Sequence, residues 1–223
     1  MQTTLAMMNT AAGKSYNELC ERHKADYTNL FNRVKLTLNP HAPMTLQYPA
    51  VTDLPTYQRL ARYRKGNPDY KLEEIYYQFG RYLLIASSRP GNLPANLQGM
   101  WANGVDGPWH VDYHNNINIQ MNYWPVCSTN LGECAWPLID FIRTLVKPGE
   151  KTARAYFGAR GWTASISGNI FGFTSPLTDE DMSWNFNPMA GPWLATHIWD
   201  YYDYTRDKKF LKETGYDLIK SSA

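Results

Sequence analysis

Apolar residues recur every three or four positions along most of the chain, the spacing that places side chains on one face of an α-helix. Ser15 and Glu18 have the spacing of a capping box and predict the start of the first helix. Its stripe consists of Leu19, His23, Tyr27, Leu30, Phe31 and Val34. Residues 1–13 are then a lead-in segment before this helix.

Two more helices are predicted before residue 90. A short one covers Tyr57–Lys65 and ends at the turn sequence Gly66-Asn67-Pro68. The clearest helical pattern runs over 69–87 and stops at Pro90-Gly91. Between the first and second helices, prolines at 40, 43, 49 and 55 predict an extended connector over residues 39–55.

The second half of the chain carries further helical stripes. One long helix is predicted to be capped by Asn130 with Glu133 and closed by Lys147-Pro148-Gly149. Another surrounds residues 192–201, and Asp207 is positioned to cap a final turn. Only residues 163–175 look weakly strand-like. Helices joined by short turns, without alternating strands, predict an all-α fold built of helix hairpins.

Composition excludes several classes of protein. With 223 residues of which 43% are hydrophobic, the chain can bury a core and is not a disordered polymer. A net charge of +2 without a basic run gives no electrostatic support for nucleic-acid binding. No apolar stretch approaches the length of a membrane span, so membrane insertion is not expected. Metal and cofactor motifs are also missing, and Cys20, Cys127 and Cys134 are predicted to be small buried residues.

The segment 87–116 differs from the helical parts. It is rich in Gly, Pro and Asn but carries Trp101, Trp109 and Tyr113. Long irregular segments are uncommon in compact domains and are usually functional. Large aromatic side chains in such a loop indicate a packed surface that faces a ligand.

A cluster of amide side chains follows directly after this loop. His114 is accompanied by asparagines at 115, 116, 118 and 122, and helical spacing resumes through Ile117, Gln120, Met121 and Trp124. Asn115 or Asn116 can simply cap that helix. Four asparagines exceed the need of one cap, however. Carboxamides donate and accept without charge, which suits vicinal sugar hydroxyls or one oriented water.

The motifs that carry these residues resemble the catalytic domain of glycoside hydrolase family 95, the inverting α-L-fucosidases. They are YQFGRYLLIASSRPGNLPANLQGMW, DYHNNINIQMNYWP, TNLGEC, KTARAYFGARGW and PMAGPWLATHIWDYYDYTRDKKFL. The likeness covers the chain from about Lys14 onward. It implies that residues 14–223 are the N-terminal portion of an (α/α)6 toroid, incomplete because downstream helices are missing.

The resemblance also implies a site. In the family, two asparagines matching Asn116 and Asn118 hold the hydrolytic water together with an aspartate, and a glutamate is the general acid. The histidine matching His114 contacts the sugar. The glutamate and the aspartate both lie downstream of the last matching motif, so the chain to Ala223 is expected to be inactive by itself. The expected partner is a fucosylated oligosaccharide or glycan.

Tryptophans are the other substrate-binding candidates. Trp101, Trp109, Trp184 and Trp193 are predicted to be sugar platforms, whereas Trp124 and Trp199 lie on or beside helical stripes and are predicted to be core. His197 is predicted to be a satisfied core histidine. Asp179-Glu180-Asp181 is interpreted as a solvated loop rather than a hydroxyl-binding edge, and Asp112 as a side chain that hydrogen-bonds its own loop.

Three other functions remain open at this point. The chain can be a remnant that holds fucose- or galactose-containing glycans without cutting them, an α-L-galactosidase, or a helical scaffold whose aromatics are all core. The resemblance implies relatives that are mostly secreted or periplasmic bacterial enzymes. The first sixteen residues lack the basic and apolar regions of a signal peptide.

Overall fold

Helices make up most of the part of the chain that the computed structural model describes, which is residues 2–38, 53–177 and 186–222. The predicted all-α class is therefore confirmed. The chain divides into two units, Met1–Tyr82 and Leu83–Ala223. The described residues contain no helix that is long and apolar enough to cross a bilayer.

The first unit is built from helices α1 (Gln2–Ala12), α2 (Tyr16–Phe31), α3 (Thr56–Tyr63) and the greater part of α4 (Tyr70–Ser87). The predicted cap of α2 is confirmed, since the Ser15 side chain accepts a hydrogen bond from the Glu18 N–H at 3.2 Å. Helix α1 was not expected from the sequence, which has no clear apolar stripe there. Most of the predicted connector at 39–55 lies outside the described residues.

Two arginines hold the first unit together. Arg59 on α3 makes a bidentate pair with Asp69 at 2.8 and 2.9 Å, and both residues are buried. Asp69 also accepts from the Leu72 N–H at 3.0 Å and so caps α4. Arg81 on α4 donates to the carbonyls of Leu30 and Phe31 at 2.9 and 2.7 Å, where a cation satisfies the orphan acceptors at the end of α2.

The second unit contains strand β1 (Tyr113–His114), helices α5 (Asn118–Tyr123), α6 (Pro125–Ser128) and α7 (Trp136–Phe157), strand β2 (Ser167–Gly168), and helices α8 (Ala190–Thr205), α9 (Lys208–Phe210) and α10 (Tyr216–Ser221). An irregular turn lies at Pro108–Val111 and a short 3₁₀ turn at Gly132–Ala135, and a π-helical turn spans Leu211–Gly215. The predicted cap at Asp207 is confirmed by its bond from the Phe210 N–H. Of residues 163–175, which the sequence marks as weakly strand-like, only the two residues of β2 form a strand.

The core of the second unit lies mainly between α7 and α8. Leu138, Ile142 and Leu145 of α7 and Leu194 and Ile198 of α8 are at most 1% exposed. Trp162 is also buried, at 2% exposed, and its indole N–H donates to the Leu218 carbonyl of α10 at 3.1 Å. The three cysteines are free thiols, and only Cys134 is fully buried.

The sequence-based bounds of α7 were wrong at both ends. Asn130 adopts a left-handed conformation (φ 57°) and does not cap, and the helix begins at Trp136 after a 3₁₀ turn. At the other end α7 runs through Pro148 to Phe157 and ends at the left-handed Gly158. Tertiary packing overrides the cost of an internal proline here, because Gly149 lies directly against the backbone of Thr163.

Candidate functional site

The short strand pair fixes the segment that carries His114. Tyr113 lies opposite Gly168 and His114 opposite Ser167 in an antiparallel register, and the Asn115 N–H donates to the Ile166 carbonyl at 2.7 Å. Tyr113 anchors the strand, because its hydroxyl donates to the Pro94 carbonyl at 3.0 Å and its ring packs on Phe141.

Asn115 holds this segment in place from within the core. Its amide donates to the Ser165 carbonyl at 2.9 Å, and its own carbonyl accepts from the Gln120 amide at 2.7 Å. Both side chains are completely buried. A Cβ at Gly168 would lie 3.2 Å from the Asn115 amide nitrogen, so glycine allows this close approach.

The prediction that Asn115 or Asn116 caps the next helix was wrong. Ile117 occupies the cap position, and no side chain makes a capping hydrogen bond there. Asn115 has its donor committed to Ser165 across the strand pair instead. Asn122 is also structural, since its amide donates to the Asn96 carbonyl at 3.1 Å.

Asn116 and Asn118 are the two asparagines not used in this way. Asn116 is half-buried, and its side-chain oxygen is fully buried but accepts no hydrogen bond within the described parts of the chain. Asn118 is exposed at the first position of α5. A buried acceptor without a donor is unfavourable, so the Asn116 oxygen is suited to accept from a bound water or hydroxyl.

The electrostatics around His114 favour neutral groups. Burial lowers the pKa of His114, and the nearby Asp112 opposes this shift. Burial raises the pKa of Asp112 itself, against the opposing effect of His114 and His110. Asp112 was expected to hydrogen-bond its loop through its side chain, but its carboxylate makes no such bond to a described residue. Its backbone does: the carbonyl accepts from the Leu97 N–H, and the N–H donates to the Trp109 carbonyl. Near neutral pH His114 is therefore an uncharged imidazole that can donate and accept.

One of the predicted sugar platforms lies beside the histidine. The ring of Trp109 meets His114 edge-on at 6.1 Å between centroids, and Trp109 is 64% exposed. It follows Gly107 in a turn where Trp109, His110 and Val111 all have positive φ angles.

The remaining platforms are more scattered. Trp101 is about half exposed beyond Gly99, whose missing side chain makes room for the indole, and Trp193 is half-buried at the start of α8. Neither makes a ring contact with His114 in the described ranges. Trp184 and the acidic residues 179–181 lie outside the described residues.

The face of α5 that is buried differs from the predicted one. Ile119, Gln120 and Tyr123 point into the core, whereas Met121 and Trp124 are 55% and 49% exposed. Trp199, also predicted to be core, is 50% exposed. The sequence of α5 carries two overlapping apolar stripes. The Tyr123 hydroxyl, bonded to Ser88 and to the Ala95 N–H, selects one of them.

The chemistry available at this site follows from its residue types. No group of three potential metal ligands occurs in residues 2–38, 53–177 or 186–222. Two free amides, a neutral imidazole and exposed indoles can orient water and hydroxyls and can stack on a sugar ring. An amide does not accept a proton, so these groups need a carboxylate partner to act as a base.

Comparison with known proteins places these residues in context. The family described as "Glycosyl hydrolase family 95 catalytic domain" matches residues 15–223. The chain is 44% identical over 206 residues to Alpha-L-fucosidase 2 of Arabidopsis thaliana, covering 92% of this chain and 24% of that protein. It is 38% identical over 222 residues to Probable alpha-fucosidase A of Aspergillus niger, covering 98% of this chain and 27% of that protein.

A similar protein of Aspergillus oryzae, also named Probable alpha-fucosidase A, is 36% identical over 185 residues, which are 82% of this chain and 24% of that protein. The chain thus spans about a quarter of the length of these relatives. They come from a plant and two fungi, so they do not support the bacterial origin that the sequence resemblance implied.

Proposed function

The chain belongs to glycosyl hydrolase family 95, and we propose that it forms the water-positioning part of an inverting α-L-fucosidase site. The relatives named as fucosidases support this substrate class. In this proposal His114 contacts the sugar, Asn116 and Asn118 orient the attacking water, and exposed indoles, Trp109 first among them, border the sugar.

The observation that carries the proposal is the side-chain oxygen of Asn116. It is buried, lies two residues from His114, and accepts no hydrogen bond from any described residue. The Asn115 oxygen is also unpaired, but the Asn115 amide is already bonded to the Ser165 carbonyl, whereas the Asn116 amide makes no bond to a described residue. A water placed there donates one hydrogen to this oxygen, which leaves an oxygen lone pair free to attack. Asn118, exposed at the start of α5, is free to supply the second contact to the same water.

Inversion needs more than these amides. One carboxylic acid protonates the leaving oxygen and a second carboxylate accepts the proton of the water, with about 6.5–9.5 Å between the two. Asp112 is the carboxyl group that lies near His114. In this proposal the catalytic acid and base come from elsewhere in the enzyme, as the family resemblance implies, and residues 1–223 alone do not turn over substrate.

The test uses a complete enzyme that carries these residues, assayed on a fucosylated trisaccharide. Asn116→Gly and Asn118→Asp are each expected to lower kcat by about 10²-fold or more, with little change in KM, because the water loses its orientation. Asn103→Gly, at an exposed asparagine in the loop before the site, is the matched control and is expected to retain full kcat.

Chemical denaturation of the same variants separates a catalytic role from a structural one. Because neither Asn116 nor Asn118 makes a side-chain hydrogen bond to the described residues, their substitution is expected to leave the unfolding free energy nearly unchanged. If Asn116→Gly turned over substrate at the rate of the unmodified enzyme, the water-positioning role would be wrong.

A further inference from the structure

A separate cavity of about 200 Å³ lies within the second unit, between α8 and the segment from α5 to α7. Its apolar lining includes Val126, Leu138 and Ile139, all at most 2% exposed. At about 30 Å³ for each water, this volume corresponds to roughly seven water molecules. A single six-membered ring with its substituents is a ligand of that size.

His197 is a buried polar residue in the lining of this cavity. The side chain is 7% exposed, and its Nε2 atom is buried without a hydrogen-bond partner in the described parts of the chain. Burial lowers the pKa of His197 to about 4, so the imidazole is neutral near pH 7. An unpaired buried nitrogen is costly unless a ligand group bonds it. The sequence-based expectation of a satisfied core histidine was therefore wrong.

Aromatic and acidic side chains are more exposed at the same cavity. Trp124 is 49% exposed and Tyr204 is 62% exposed, and Asp200 is the carboxylate beside them. His197, Asp200 and Tyr204 follow one another at three and four residues on α8, so they share one face of the helix. The cavity thus combines a buried hydrogen-bonding nitrogen with flat, half-exposed rings and an acceptor.

We propose that this cavity binds one neutral sugar ring. A sugar hydroxyl bonds Nε2 of His197, a second hydroxyl donates to the Asp200 carboxylate, and the C–H face of the ring packs on Trp124. Sugars combine these hydroxyls with an apolar face, which matches the polar and aromatic lining.

The charges of the lining argue against other ligand classes. An anion would meet the carboxylate of Asp200, whose pKa is raised by burial and, to a smaller extent, by the charge of Asp203. An ammonium group could pair with Asp200 at the exposed end. At the buried end it would face an uncharged imidazole and the neutral Cys127 thiol, whose pKa burial and the Asp200 charge raise to about 11. A purely apolar ligand would leave the His197 nitrogen unpaired.

This inference goes beyond the proposed fucosidase function. None of the lining residues is His114, Asn116 or Asn118, and the cavity would bind its ligand without any hydrolysis. The two proposals can therefore fail separately. Substitution of Asn116 tests one of them, and substitution of His197 tests the other.

The experiment is an NMR titration of isotope-labelled protein with L-fucose, D-galactose and D-glucose in turn. The indole N–H signal of Trp124, assigned from Trp124→Phe, reports on the cavity. At least one sugar is expected to shift it, with a dissociation constant in the millimolar range typical of single small ligands held by few hydrogen bonds. Asn116→Gly is expected to leave this binding unchanged.

Variants of His197 decide the outcome. His197→Phe removes the nitrogen but keeps an aromatic ring of similar size, and is expected to weaken binding by about tenfold or more. His197→Gln keeps a hydrogen-bonding group and is expected to bind within about threefold of the unmodified protein. Asp200→Asn, a rim change that does not disturb the core, is expected to weaken binding through loss of a charged acceptor.

The matched control is a second tryptophan. Trp199 is 50% exposed on α8, nearly the same as Trp124, but does not line the cavity. Trp124→Ala lacks the indole reporter, so its binding is followed at the backbone N–H signals of His197 and Asp200, which also line the cavity. Trp124→Ala is expected to abolish binding and Trp199→Ala to preserve it. The proposal is wrong if no sugar shifts the Trp124 signal, if His197→Phe binds as well as the unmodified protein, or if ethylammonium binds more tightly than the sugars.

Discussion

His197 makes the stability of the second unit depend on pH. Its pKa is about 4 in the folded protein and about 6.5 in an unfolded chain, so the unfolded state binds the proton first as the pH falls. The contribution of His197 to stability is therefore greatest above pH 6.5 and decreases as the pH falls towards 4. Between pH 7 and pH 5 this histidine is expected to cost about 2 kcal/mol of unfolding free energy.

Urea denaturation followed by tryptophan fluorescence measures this effect. All eight tryptophans lie beyond residue 100, so their emission reports on the second unit. His197→Gln removes the titrating group and is expected to flatten the profile between pH 7 and pH 5. An unchanged slope in that variant would show that other groups cause the acid sensitivity.

The site residues illustrate what single positions reveal in a sequence. The sequence showed that the asparagines beside His114 exceed the need of one helix cap, and the family resemblance then singled out Asn116 and Asn118 among them. Which asparagine serves the fold was not visible. Asn115 bonds Ser165, fifty residues away, and no local rule encodes that contact.

Loss of one partner of the buried ion pair between α3 and α4 is expected to lower the free energy of unfolding. Asp69→Asn leaves Arg59 buried without its full counter-charge and removes part of the α4 cap, so a loss of about 3 kcal/mol is expected. Far-UV circular dichroism during urea denaturation measures it. The surface pair Lys24–Glu21 is a single contact of similar length, 2.9 Å, but both side chains are exposed to water, so Glu21→Gln is expected to have little effect on the free energy of unfolding.

The buried Arg59–Asp69 pair is also expected to affect how stability depends on pH in the acid range. The guanidinium of Arg59 holds the pKa of Asp69 below its usual range. The carboxylate therefore stabilises the fold above its unfolded pKa, and this contribution is lost as the pH falls through the lower folded value. Glu21→Gln should leave this acid limb unchanged, whereas Asp69→Asn should remove it.

Gly149 shows why α7 continues past its proline. A Cβ at this position would lie 2.5 Å from the Thr163 carbonyl oxygen and 3.2 Å from the Trp162 Cβ, so backbone must move to admit it. Gly149→Ala is expected to destabilise the protein by about 2 kcal/mol in urea denaturation read by fluorescence. Gly80→Ala is the control, since nothing lies within 4 Å there and a helical alanine should add about 0.5–1 kcal/mol, read by circular dichroism.

Helix positions were predictable where the apolar stripe was single. The stripes of α2, α4 and α8 gave nearly correct bounds, and the Ser15 and Asp207 caps followed from local chemistry. The prediction failed where a long-range contact decides. Pro148 reads locally as a helix end, and only the packing of Gly149 on Thr163 shows that α7 runs on.

At the scale of the whole molecule, the exposed apolar surface is a consequence of the helical pattern. Stripes that predicted helices in the sequence are only partly covered, with Ile75, Phe79 and Tyr82 on α4 each more than 40% exposed. The all-α class follows from the periodicity, and the family follows from ordered motifs. The closed ring of hairpins implied by the resemblance stays a prediction, because it depends on how helices far apart in sequence pack.

The chain of residues 1–223 is expected to release no fucose from a fucosylated trisaccharide. Asn116 and Asn118 can hold a water but cannot accept its proton, and inversion requires two carboxyl groups on opposite sides of the sugar. Among the described residues around the site, Asp112 is the carboxyl near His114, and one group cannot fill both roles. Fucose release is measured chromatographically after prolonged incubation. Turnover that disappears in Asn116→Gly would contradict this expectation, whereas turnover that persists in that variant would indicate a contaminating enzyme.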